Sequence, residues 1–126
     1  MANPKRILIV DDEQDIRTYL STLLEDQGYT TVLAKDGVEA MQQVQAEIPD
    51  LITLDISMPE KSGVKFFRDL KSDERWKKIP VIIVTGVSED FKRFISSRQQ
   101  IPAPEGFVSK PINQEEILGL VRKLMG

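Results

Sequence analysis

The 126-residue sequence contains neither cysteine nor histidine. Without cysteine there is no disulfide framework and no thiolate metal site, which suits a reducing cytosol. Without histidine there is no Ser-His-Asp hydrolase, no imidazole-ligated zinc and no internal phosphohistidine donor. Long apolar runs are missing too. The N-terminal Met-Ala-Asn-Pro-Lys-Arg leads into only four apolar residues before two aspartates, too few for a secretory signal, and no run approaches a membrane span. A cytoplasmic chain with no membrane partner is expected. Nor is one sign of charge in large excess. The 17 basic and 20 acidic residues leave a net −3, so no direct nucleic-acid partner is expected. No glycine-rich phosphate loop follows any apolar run, which removes dinucleotide and P-loop chemistry.

What is present reads as one folded domain. The chain is 40% hydrophobic and 29% charged, unlike a disordered segment, and its length is near the commonest domain size. Short apolar runs alternate with amphipathic stretches. Ile7-Leu8-Ile9-Val10 is unalternated, as in a strand buried on both faces of a parallel sheet. Ile16, Leu20, Leu23 and Leu24 share a helical face that Gly28 closes, and Thr31-Val32-Leu33-Ala34 is a second strand. Asp36 with Glu39 reads as a capping box for a helix carrying Val38, Met41 and Val44 inward. Pro49 precedes a third strand, Leu51-Ile52-Thr53-Leu54. A loop through Met58-Pro59 and Gly63 then leads to a helix bearing Val64, Phe67 and Leu70. Pro80 opens a fourth strand, Val81-Ile82-Ile83-Val84, and Ser88 caps a fourth helix with Phe91, Phe94 and Ile95 apolar. Gly106-Phe107-Val108 is a short fifth strand. Asn113 and Glu116 cap the last helix, whose Ile117, Leu120, Val121 and Leu124 face inward. Five βα units in series imply a doubly wound five-stranded parallel α/β sheet with helices on both faces.

In such a sheet, ligands bind beyond the carboxyl ends of the strands. The residues there are Asp11-Asp12-Glu13, Asp55, Thr85, and Lys110 followed by Pro111. Singly, each has an ordinary explanation. The acidic pair caps a helix, Asp55 is a turn residue, Thr85 finishes a strand, and Lys110 is a solvated lysine. Together Asp11, Asp12 and Asp55 with Thr85 and Lys110 place three carboxylates, a hydroxyl and an ammonium at one rim, which accident explains poorly. Close carboxylates repel unless a cation sits among them, and an all-oxygen donor set favours Mg²⁺. A carboxylate beside Mg²⁺ can act as a nucleophile toward phosphorus, and a lysine and a hydroxyl can hold the phosphoryl oxygens.

The ordered set Asp11-Asp12, Asp55 with Met58-Pro59 and Gly63, Thr85-Gly86, and Lys110-Pro111 resembles the response-regulator receiver family of two-component signalling, in the manner of a chemotaxis-type single receiver. The match runs along essentially the whole chain. The resemblance implies a flavodoxin-like (βα)5 fold with strand order 2-1-3-4-5. It implies that Asp55 is the phospho-acceptor, that Asp12, Asp55 and the backbone carbonyl of Ser57 hold Mg²⁺, with Mn²⁺ able to substitute, and that Asp11 reaches the metal through water. Lys110 would contact the phosphoryl group across a cis Lys110-Pro111 bond. Thr85 and Phe107 would be the switch hydroxyl and the switch aromatic, altering the surface of the fourth helix, fifth strand and fifth helix, where Lys92, Arg93 and Arg98 lie. The implied partners are a sensor histidine kinase or histidine phosphotransfer protein and an unspecified downstream protein. With Gly126 directly after the last helix, a single domain over residues 1–126 without an output domain is expected. Its chemistry would be limited to self-phosphorylation and slow self-dephosphorylation.

Two features depart from the family pattern. Phe107 stands where many relatives carry tyrosine, so a ring can rotate but offers no hydroxyl. The stretch 98–104 is longer than the usual turn before the fifth strand. Two rivals remain. A Mg²⁺-dependent aspartyl phosphatase similar to the haloacid dehalogenase family would want a second aspartate where Ser57 stands, and a longer chain. A receiver serving only as a constitutive binding module would not need the complete acidic site.

Overall fold

The computed structural model describes residues 5–58, 62–86 and 103–125. The strands are β1 (Arg6–Val10), β2 (Thr30–Ala34), β3 (Leu51–Leu54), β4 (Val81–Thr85) and β5 (Gly106–Ser109). The described helices are α1 (Gln14–Asp26), α2 (Gly37–Ala46), α3 (Ser62–Lys71) and α4 (Gln114–Met125). The helix expected from Ser88, with Lys92, Arg93 and Arg98, and most of the 98–104 stretch lie outside the described residues, so α4 is the helix expected as the fifth. All strand pairs are parallel, in the order β2-β1-β3-β4-β5. That is the flavodoxin-like arrangement.

Side-chain alternation along each strand sends neighbours to opposite faces, and both faces here are apolar. On one face Leu8, Val10, Ile52, Leu54, Val81 and Ile83 pack against Ala40 and Val44 of α2 and Phe66, Phe67 and Leu70 of α3. On the other, Ile7, Ile9, Leu51, Ile82, Val84 and Val108 meet Leu20, Leu23 and Leu24 of α1 and Ile117, Leu118 and Val121 of α4. This double burial is why β1, β3 and β4 read as unbroken apolar runs.

The helix ends follow their expected signals. Gly28, at φ +93°, ends α1, with its amide donating to Glu25 and that of Tyr29 to Leu24. The Asp36 carboxylate accepts from the Glu39 amide at 2.8 Å, while the Glu39 carboxylate accepts from the Lys35 amide at 2.9 Å, one residue before the reciprocal partner of a capping box. Asn113 accepts from the Glu116 amide at 2.9 Å. Two expectations are corrected. Val38 is 67% exposed rather than inward; the buried face of α2 is Gly37, Ala40 and Val44. The cause is α3, which crosses so close that a Cβ on Gly37 would strike the Ser62 carbonyl. Gly63 belongs to the first turn of α3 rather than to the loop before it.

An ion pair between a buried lysine and a partly exposed glutamate fastens the end of the sheet far from the strand carboxyl termini. The Lys71 side chain is 0% exposed and its ammonium meets Glu105 Oε1 at 2.9 Å. It also donates to the carbonyls of Ile79 at 2.8 Å and Lys77 at 3.2 Å. Glu105 Oε1 accepts in turn from the Val81 amide at 2.7 Å. The pair therefore ties the C-terminus of α3 to the start of β4 and the entry to β5.

Candidate functional site

The strand ladders deliver the site. The Asp11 amide donates to Ala34 at 3.1 Å, the Asp55 amide to Val10 at 2.9 Å and the Lys110 amide to Thr85 at 2.9 Å. Each is one more rung beyond the last strand residue. So the backbone of every one of these residues is fixed by its neighbour strand, and their side chains meet at one rim.

Oxygen atoms of Asp11, Asp12 and Asp55 all lie within 4.8 Å of one another. Asp11 and Asp55 are buried and Asp12 is exposed. The Asp55 carboxylate is held on both sides. Its Oδ1 accepts from the Ser57 amide at 2.9 Å, and its Oδ2 lies 3.4 Å from Lys110 Nζ. Lys110 Nζ also approaches Asp11 Oδ2 at 3.0 Å and Glu13 Oε1 at 3.4 Å. The Lys110-Pro111 bond is cis. Thr85 Oγ1 is 2.6 Å from Ser57 Oγ. Phe107 lies on β5 opposite Ile83 and is 37% exposed.

The electrostatics show carboxylates short of positive charge. Burial pushes the Asp11 carboxyl above its usual range, and the charge of Asp55 adds to this against the Glu13 amide and Lys110. For Lys110, burial works to lower the ammonium, but the bond to Asp11 and the charges of Asp55, Asp11 and Glu13 outweigh it and raise the pKa. One lysine serves three acids. A hard divalent cation fits this donor set, because it contains only oxygens and its carboxylates already crowd one another.

The structure brings together every strand-end residue singled out in the sequence. The helix-capping explanation of the acidic pair fails for α1. Its N-cap is Glu13, whose side chain makes no capping bond, and Asp11 accepts instead from the Glu13 amide at 2.9 Å. Sequence reasoning missed two contributors: Arg17 donates to the Asp11 carbonyl at 2.7 Å, and the Ser57 side chain pairs with Thr85; nothing local marks either. Glu13, named at the strand end but given no role, shares Lys110. Gly63 gains a reason, since a Cβ there would strike the Asp55 carbonyl and stand 2.9 Å from the Ile56 Cα.

The family model of the response regulator receiver domain matches residues 7–122. The chain belongs to this family. Among curated relatives of the receiver domain, the polar-differentiation response regulator DivK of Brucella anthropi is 32% identical over 123 residues, covering 98% of each chain. Three other matched relatives are longer, and this receiver spans 17% to 53% of their length. Of solved structures, the receiver domain of a signal transduction histidine kinase from Syntrophus aciditrophicus superposes with a TM-score of 0.85 at 32% identity, covering 96% of this chain and 89% of that one. A receiver domain of a sensor histidine kinase from Pseudomonas aeruginosa PAO1 shares the fold, with a TM-score of 0.83 at 22% identity over 98% and 99% of the two chains. That structure carries a magnesium ion in its active-site cleft. No helix among the described residues is long and apolar enough to cross a membrane.

Proposed function

We propose that this receiver domain accepts a phosphoryl group on Asp55 and uses it as a signalling switch. The observation that carries the reading is the setting of Asp55: a buried carboxylate fixed by the Ser57 amide and Lys110 and crowded by two further acids. Asp12, Asp55 and the Ser57 carbonyl would hold Mg²⁺, or Mn²⁺ in its place, with Asp11 acting through water. Bound there, the ion supplies charge neutralisation between the acids and the incoming phosphoryl oxygens.

The chain's own residues do the rest. An Asp55 carboxylate oxygen forms the bond to phosphorus as the bond between phosphorus and the donor's leaving atom breaks. The leaving group departs with its electron pair. Lys110 stays on the phosphoryl oxygens as a point charge, and the Thr85 hydroxyl donates to another. These 126 residues contain no histidine, so the phosphohistidine donor lies outside them, on a sensor histidine kinase or phosphotransfer protein. Phosphorylation adds a charge of about −1.5 to −2. Thr85 and Phe107 would pass the change to the surface of the expected fourth helix, β5 and α4, which a downstream protein reads.

Acetyl phosphate tests this reading. The wild type should label in the presence of Mg²⁺ and not in EDTA, with an acid-stable, base-labile product. Asp55→Asn keeps the shape, removes the nucleophile and should not label; labelling equal to wild type would place the acceptor elsewhere. Sustained turnover of small phosphomonoesters would instead favour the phosphatase reading.

A further inference from the structure

The Ser57 and Thr85 hydroxyls, 2.6 Å apart, stand in unequal surroundings. Thr85 is 3% exposed, whereas Ser57 is exposed. A hydroxyl carries one proton and two lone pairs, and a buried one left without a partner costs more than the bond itself is worth. Ser57 can turn to water; Thr85 cannot. Either hydroxyl can donate at this distance, but a Thr85 proton that no water reaches is satisfied by Ser57 Oγ, the side-chain partner among the described residues. The Thr85 carbonyl itself accepts from the Lys110 amide at 2.9 Å. The turn carrying Ser57 is itself anchored, through its amide, to Asp55 Oδ1.

We infer that Ser57 is a positioning residue that restrains the switch: its hydroxyl is the resting partner of Thr85 and competes with the phosphoryl group for the Thr85 proton. The inference rests on the Asp55 reading. When a phosphoryl oxygen arrives, Thr85 exchanges one acceptor for another and gains little, while Ser57 rehydrates. Without the Ser57 hydroxyl, the resting state holds a buried, unpaired donor, and the arriving oxygen relieves it. Ser57 thus sets how strongly the phosphoryl group can recruit Thr85.

Beryllofluoride affinity, measured with Mg²⁺ at fixed concentration, tests this. Ser57→Ala should bind beryllofluoride roughly two- to tenfold more tightly than wild type, the span of one net hydrogen bond. Ser57→Thr restores a hydroxyl and should return to the wild-type value. In a Thr85→Val background Ser57→Ala should change nothing, which a merely structural role for Ser57 would not predict. NMR adds a second readout: Ser57→Ala without beryllofluoride should move the Thr85 methyl resonance toward its position in the bound wild type. Unchanged or weaker binding by Ser57→Ala, or the same effect in the Thr85→Val background, overturns the inference. If wild type fails to bind beryllofluoride, or Asp55→Asn binds it equally, the Asp55 reading itself fails and takes the inference with it.

Discussion

Removing either partner of the Lys71–Glu105 pair should destabilise the fold, but by unequal amounts, and the inequality follows from exposure. The Lys71 side chain is 0% exposed and that of Glu105 is 32% exposed. In Lys71→Met the stranded carboxylate still reaches water and still accepts from the Val81 amide. Only the Ile79 and Lys77 carbonyls lose a donor, so the expected cost is about 1–2 kcal/mol. In Glu105→Ala the buried ammonium keeps the Ile79 and Lys77 carbonyls but loses its counter-charge, and the Val81 amide loses its side-chain partner. Breaking a fully buried pair costs about 3–5 kcal/mol; with Glu105 32% exposed the cost here should fall below that range but above that of Lys71→Met, still a notable share of the roughly 5–15 kcal/mol that holds a domain together. In the double variant Lys71→Met/Glu105→Ala no uncompensated charge remains, so it should be more stable than Glu105→Ala alone. Urea unfolding of the four proteins, followed by fluorescence of the buried Trp76, gives all three differences. The reasoning fails if Glu105→Ala costs less than Lys71→Met, or if the double variant is the least stable of the set.

Three further expectations concern single positions. Asp12→Ala should weaken Mg²⁺ binding in isothermal titration far more than Thr85→Ala does; equal affinities for wild type and Asp12→Ala would remove Asp12 from the metal shell. Gly63→Ala should cost about 1–3 kcal/mol as overpacking, and should slow acetyl phosphate labelling as well, because the collision falls on the Asp55 backbone. Thermal unfolding and labelling read the two effects, and an unperturbed variant would contradict the close approach. The side-chain and backbone bonds from Arg75 hold the Asp73 carboxyl at about 2. A folded pKa below the unfolded one stabilises the protein above the unfolded pKa, and that contribution is lost as the pH falls toward 2. An NMR titration of Asp73 should show the low midpoint, and Arg75→Gln should return it toward the ordinary carboxylate range.

Residues whose surroundings are local were legible in the sequence. Burial on both faces gave β1, β3 and β4 an unbroken apolar signature, and the strand ends then located Asp11, Asp55, Thr85 and Lys110 without any tertiary information. Val38 shows where periodicity runs out. Two overlapping faces of α2 satisfy the same helical spacing, and the choice between them is made by α3, where Gly37 admits the Ser62 carbonyl. The hidden pairings are non-local. Ser57 and Thr85 are 28 residues apart and Lys71 and Glu105 are 34 apart, and neither pair sits in a motif. The general expectation that a lysine is solvated reverses at Lys71 because the end of α3, the turn after it and the residue before β5 converge on one point.

On the proposed switch, that convergence also limits how a change at Asp55 could leave the rim. At one end of β5, Glu105 is bonded to Lys71 and to the Val81 amide; at the other, the Lys110 amide is bonded to the Thr85 carbonyl. A ribbon pinned at both ends cannot slide along its neighbour without breaking an ionic clamp or a ladder rung. If Asp55 is the acceptor, what travels outward along this edge would do so by rotation of side chains about a stationary backbone, with Phe107 the large ring placed midway between the two pins.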